Sequence, residues 1–134
     1  MPDCAQCFGC GSDNPAALHL QFFSSGDEVL ADVIPPKHFE GPSGYVSQAA
    51  ILAIMDEIQG RVSWAEGVLT VTAGLDVRFL LPVPLGEPLH AVARLVSKGQ
   101  RSYRTEAALR RADGRLAATS TTVHAVPRSG TFGA

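Results

Sequence analysis

The chain of 134 residues is 46% hydrophobic and 18% charged with a formal charge of −2, which excludes a disordered segment and leaves no basic stripe for nucleic acid. That length suits one domain with a core of its own, and no apolar run approaches the roughly 20 residues of a membrane span. The N-terminus lacks the charged-then-apolar pattern of a signal peptide, so a cytoplasmic location is expected, with the three cysteines as reduced thiols.

Residues 1–16 place Cys4, Cys7 and Cys10 among Gly, Asp, Asn and Pro and read as an irregular lead-in with turns. Short strands are predicted over 18–23 and 28–34, joined by the turn Ser24-Ser-Gly-Asp27, with Pro35 and Pro36 stopping the second. A helix is predicted over 46–65, with Ser47 as its N-cap and Gly67 just past its end. Strands follow over 68–81, 88–97, 101–111 and 115–126, the last two joined by the hairpin signal Asp113-Gly114. Tyr103, Thr105, Ala107 and Leu109 alternate with Arg104, Glu106, Ala108 and Arg110, as in a strand with one covered and one wet face. The Gly/Ser-rich tail over 128–134 is expected to be loose. One helix between two strands and four gives an α+β order, an antiparallel sheet on one long helix within a single domain spanning 1–134.

The helix carries the strongest chemical signal. Ile51, Ile54, Met55, Ile58 and Val62 recur at helical spacing, and Ala49, Ala50, Leu52 and Ala53 fill most of the remaining surface of its first half. Two acids stand in this apolar run. Glu57 has Arg61 four residues on, the favourable order for an exposed ion pair. Asp56 has Leu52, Ala53, Gln59 and Gly60 as helical neighbours and no basic partner. Such a carboxylate costs stability and is a candidate for chemistry, its pKa open to being raised by desolvation. The competing reading is a buried carboxylate capped by a backbone or hydroxyl group. His90 and His124 sit in strand patterns and read as surface or sheet residues. The spacing Cys4-x-x-Cys7-x-x-Cys10 invites a zinc site, yet three cysteines fall one short of four ligands, with His19 or His38 to complete it. The expectation is small buried thiols and no required metal.

Four stretches in order resemble the hotdog-fold acyl-CoA thioesterases of the phenylacetate-pathway and 4-hydroxybenzoyl-CoA thioesterase type. They are Cys7-Phe-Gly-Cys10-Gly11 with Asn14-Pro15 and Leu18-His-Leu-Gln-Phe22; His38-Phe-Glu-Gly41-Pro-Ser-Gly44-Tyr-Val; the helix through Met55-Asp56-Glu57; and Thr72-Ala-Gly-Leu-Asp-Val-Arg78-Phe79-Leu-Leu-Pro82-Val-Pro-Leu-Gly86. The resemblance implies a sheet wrapped around the central helix and hydrolysis of a small or aromatic acyl-CoA. Asp56 falls on the family's acidic catalytic position, Thr72 on one where a hydroxyl helps to orient water, and Gln48 on the backbone donor for the oxyanion. Gly44 and Ser47 fall in the substrate-binding loop, and Lys98 and Arg101 cluster at a turn that could meet the phosphates of coenzyme A. No cofactor is implied, since thioester hydrolysis needs only a base or nucleophile and donors for the developing oxyanion.

Two features bear on how far the resemblance goes. Many relatives begin the helix with His-Gly-Gly where this chain has Ser47-Gln48-Ala49, which favours a hotdog-fold binding protein for an acyl thioester or hydrophobic ligand; the retained Asp56 favours the enzyme. Ser47 reads better as a cap than as a nucleophile, with no base near it in sequence. Gln48 and Asp56 stand eight residues apart, roughly 12 Å along the axis, too far for one atom to touch both backbones, so either the Asp56 side chain reaches toward the N-terminus or, as the resemblance implies, the acid faces a carbonyl bound at a partner's helix end. A helix apolar on most sides also needs more cover than six short strands give. Both observations, with the edge-to-edge pairing of relatives, lead to a homo-oligomer, a dimer or a dimer of dimers.

Overall fold

The computed structural model describes residues 4–128; of the expected loose tail, only Arg128 falls within that range. In chain order it contains β1 (Gln21–Ser25), β2 (Glu28–Val33), a 3₁₀ turn (Lys37–Phe39), α1 (Gln48–Ala65), β3 (Val71–Phe79), β4 (Leu89–Lys98), β5 (Ser102–Arg110) and β6 (Leu116–Ala125). The six strands form one antiparallel sheet in the order β1-β2-β4-β5-β6-β3, with α1 laid across its inner face. The order of elements implied an antiparallel sheet on one helix, and the family resemblance implied this hotdog arrangement of it. Among the described residues no helix is long and apolar enough to cross a membrane.

The ends of α1 follow its sequence. The Ser47 hydroxyl accepts the Ala50 N–H at 3.1 Å, satisfying one of the N–H groups that a helix start leaves over. At the other end Val68 donates to the Ser63 carbonyl at 3.2 Å, and Gly67 adopts φ 79°, the left-handed conformation that ends helices. Because Val68 closes the helix, β3 begins at Val71 rather than at residue 68. The first strand also starts later than expected, at Gln21. His19 holds φ 54°, which breaks an extended run, and Leu18 donates instead to the Phe8 carbonyl at 2.8 Å. The lead-in is thereby tied to the body of the protein.

Packing between α1 and the sheet changes character along the helix. Ile54, Met55 and Ile58 are completely buried against Ala91, Ala93, Ala107, Leu109 and Ala118. The alanines let the helix approach closely, and each large side chain contributes about 1.5–3 kcal/mol. The alternation in β5 holds, with Tyr103, Thr105, Ala107 and Leu109 all buried. Beyond Ile58 the interface turns polar. Ser120 donates to Gln59 Oε1, Gln59 Nε2 donates to Thr105 Oγ1 at 3.0 Å, and Thr105 Oγ1 lies 2.8 Å from His124 Nε2. All four side chains are buried. Buried polar groups that lose a partner cost about 1–3 kcal/mol each. Gln59→Leu, which strands Ser120 and leaves Thr105 with His124 alone, should therefore lower the unfolding free energy by about 1–3 kcal/mol in a denaturant titration.

Candidate active site

Asp56 projects from the middle of α1 toward β3, where Thr72 Oγ1 donates to its Oδ1 at 2.6 Å. Thr72 reaches it with help from an irregularity. Thr72 pairs with His124 and Gly74 with Val123, so Ala73 is an extra residue in β3. A bulge of this kind bends the strand and re-aims the side chain beside it. The helix neighbours of Asp56 offered no partner; the sheet supplies one. A hydroxyl donor leaves the carboxylate one free oxygen and fixes its orientation.

A cavity of about 280 Å³ opens at this point, lined by Asp56, Glu57, Arg61, Trp64, Thr70, Thr72 and His124 among others. Glu57 is not the exposed partner of Arg61. No ion pair within 4 Å joins them among the described residues. Arg61 instead lies 4.3 Å over the Phe22 ring and 5.1 Å from that of Trp64, with Cys10 also in reach. Glu57 is covered by the lead-in, so closely that a Cβ on Gly9 would fall 2.1 Å from its carboxyl carbon. Burial pushes the Glu57 carboxyl above its ordinary range, the charge of Asp56 adds to the rise, and Arg61 offsets part of it. The helical spacing permitted an ion pair, and the packing of the lead-in and β1 replaced it.

His124 is the residue that sequence reasoning did not place here. It is 1% exposed, stands opposite Thr72 on the inner face and lines the cavity. Burial lowers its pKa, and the charge of Asp56 acts in the opposite sense. The signal was present: Ser120, Thr122 and His124 alternate on the inward face of β6, an unusually polar row for a strand under a helix.

The start of α1 is a separate place. Gly41, Tyr45, Ser47, Gln48, Phe79, Leu80 and their neighbours line an open groove of about 780 Å³. The N–H groups of Gln48 and Ala49 have no acceptor within the helix, since Ser47 caps only Ala50 and its carbonyl takes Ile51. Gly44, at φ 85°, donates its N–H to Glu40 at 2.9 Å and accepts from Leu85 at 3.0 Å, so it shapes the loop with both backbone groups engaged. Within one chain Gln48 and Asp56 line different cavities. Lys98 pairs with Glu66 at 3.6 Å and lies 5.6 Å over Tyr103, while Arg101 is exposed at the β4–β5 turn. Cys4, Cys7 and Cys10 form no disulfide, and no group of three or more His, Cys, Asp or Glu among the described residues is disposed to hold a metal ion.

The profile of the Thioesterase superfamily matches residues 43–118, more than half of the chain and the whole stretch from the helix approach into β6. The chain belongs to that superfamily. Comparison with curated protein sequences finds no match. Among solved structures, a thioesterase superfamily protein is 27% identical with TM-score 0.79; the alignment covers 84% of this chain and 59% of that longer one. A putative thioesterase of Ralstonia eutropha JMP134, described as related to phenylacetic acid degradation, is 25% identical with TM-score 0.74, covering 81% of this chain and 86% of its own. A hypothetical thioesterase of Streptococcus pneumoniae TIGR4, solved with coenzyme A, is 17% identical with TM-score 0.77, covering 81% and 85%. That protein has also been solved with an Asp changed to Ala and with a Thr 16 positions later changed to Ala, the separation of Asp56 and Thr72 here.

The stability effect of Glu57 has a definite sign. A carboxyl raised in the folded state above its ordinary value of 4.5 binds more protons folded than unfolded, so stability falls as pH rises from about that value. Glu57→Gln should raise the unfolding midpoint at pH 7 and change it little at pH 4, measured by thermal melts at the two pH values.

Proposed function

We propose that this protein is an acyl-CoA thioesterase for small or aromatic acyl groups, with Asp56 as base or nucleophile. The Thr72–Asp56 hydrogen bond of 2.6 Å inside the cavity carries this reading, because it fixes one carboxylate oxygen and leaves the other to act. The pneumococcal relative, altered at an Asp and a Thr of the same separation, supports it, as does the coenzyme A in that structure. As base, Asp56 would take a proton from water while the water oxygen attacks the thioester carbon; the C–S bond then breaks, and coenzyme A leaves as the thiolate, which takes that proton. As nucleophile, it would form a mixed anhydride that water then opens.

The oxyanion needs donors, and the unclaimed N–H groups of Gln48 and Ala49, at the positive end of the helix, suit it. Since Gln48 and Asp56 lie in different cavities, the donors come from a second copy of the chain. Its docking surface is β3, an edge of the sheet whose outer side has no partner strand among the described residues, with Leu52, Phe79 and Leu80 exposed at 43%, 40% and 51%. Lys98 and Arg101 are the proposed contacts for the phosphates of coenzyme A.

Asp56→Asn keeps the volume and removes the charge, and hydrolysis across a panel of acyl-CoAs should fall by at least about a hundredfold, read as release of free coenzyme A. Binding of a non-hydrolysable acyl-CoA analogue should persist, because the carboxylate acts mainly as charge develops in the transition state. A variant as fast as the parent would remove Asp56 from the chemistry. Tight analogue binding with negligible turnover by the parent would favour the binding-protein reading that Ser47-Gln48 suggests. Sedimentation at micromolar concentration should show a dimer or larger; a monomer would sink the shared site.

A further inference from the structure

The polar seam beneath the cavity has a direction. Ser120 donates to the carbonyl oxygen of Gln59, so the amide nitrogen of Gln59 is the end that donates to Thr105 Oγ1, at 3.0 Å. Thr105, having accepted that bond, has one hydroxyl proton to give. Thr122, directly across from it in β6, has no hydrogen-bond partner, so the proton does not go there. His124 Nε2, at 2.8 Å, is the acceptor that completes the chain. An imidazole that accepts at Nε2 while neutral carries its proton on Nδ1. Nδ1 has no hydrogen-bond partner among the described residues and is not sealed off, and His124 lines the cavity that holds Asp56 and Thr72. The seam therefore ends in an N–H donor at the floor of the cavity.

Thr72 donates its own proton to Asp56 Oδ1, so it does not also donate to a water molecule. Arg61 and Trp64 also carry N–H donors at the cavity, but Arg61 lies over the Phe22 and Trp64 rings, whereas His124 stands directly across from Thr72. Resting on the hydrolytic reading of the Asp56 cavity, we propose that His124 is a positioning residue, whose Nδ1–H, set by the Ser120–Gln59–Thr105 chain, holds the hydrolytic water against the free oxygen of Asp56. A water that accepts from Nδ1–H and donates to Asp56 keeps one lone pair for the carbonyl carbon, as the route with Asp56 as base requires. The groups around His124 are few: Asp56 on α1 is the charge that acts on it, Tyr103 is its neighbour in β5, and uncharged Thr72 faces it from β3. Glu57 and Arg61 line the same cavity from α1.

Two substitutions separate this role from a structural one. In His124→Asn the amide nitrogen overlays Nδ1 and keeps the donor toward the cavity. In His124→Gln the side chain reaches the Nε2 position, keeping the contact with Thr105 and losing the donor. His124→Gln should lose roughly a hundredfold in kcat with little change in KM, the scale expected when a reactant is misplaced by about an ångström. His124→Asn should stay within roughly tenfold of the parent. Equal losses in both, or no loss in either, would overturn the proposal, because a core histidine that merely fills space does not distinguish them in that order. Nitrogen-15 NMR of the parent tests the same point without substitution and serves if the variants do not fold. A neutral ring protonated on Nδ1 at pH 7 is expected, and a proton on Nε2 would overturn it. Asp56→Asn separates the two levels: full activity there sinks the hydrolytic reading itself, whereas an inactive Asp56→Asn beside indistinguishable His124 variants sinks only the role of His124.

Discussion

The rotational setting of α1 about its own axis is the constraint on which the site depends. Apolar packing alone fixes such a setting loosely, because a helix on an alanine-rich sheet can turn several degrees and still bury Ile54 and Ile58. Gln59 removes that freedom. Its amide must meet Ser120 on one side and Thr105 on the other, and hydrogen bonds weaken steeply with angle. Asp56 lies three residues earlier, nearly one turn away, so fixing Gln59 also fixes the direction of Asp56 toward Thr72. The apolar half of the helix holds it to the sheet, and the polar half aims it.

Most of this architecture was legible in the sequence, and the failures have identifiable causes. The helix, its Ser47 cap and the alternation of β5 depend on local spacing, which a sequence displays directly. The start of β1 was misjudged because the left-handed backbone of His19 leaves no mark on an otherwise strand-like run. Glu57 and Arg61 stand at the spacing of an ion pair, but Gly9 and Phe22, from segments far away in the chain, decide where each side chain goes. Asp56 stood out because nothing near it in the helix answered its charge. The alternation of Ser120, Thr122 and His124 marks a polar inward row, but that His124 lies opposite Thr72, and that Thr72 bonds to Asp56, follows from long-range strand pairing that no local pattern contains.

The two ends of the helix present complementary chemistry that one chain does not join. The open groove at the start offers unclaimed N–H groups and apolar walls; the cavity near the middle offers a carboxylate held by a hydroxyl. Ser47-Gln48, where many relatives carry His-Gly, changes side chains at the first place and leaves its backbone N–H groups intact, so on the proposed reading it weighs on substrate fit more than on the electrostatics of an oxyanion.

Thr72 sits on β3, and among the described residues β3 is hydrogen-bonded to a neighbour on one side only. Edge strands open locally at low free-energy cost, and their outward amides exchange with solvent first. The side chain that orients Asp56 is thus mounted on one of the two strands of the sheet with least support. Anything that pairs with the free edge of β3 would suppress its fraying by mass action and hold the Thr72 hydroxyl in place for a larger fraction of the time. Protein concentration would then act on the order of the site as well as on its composition.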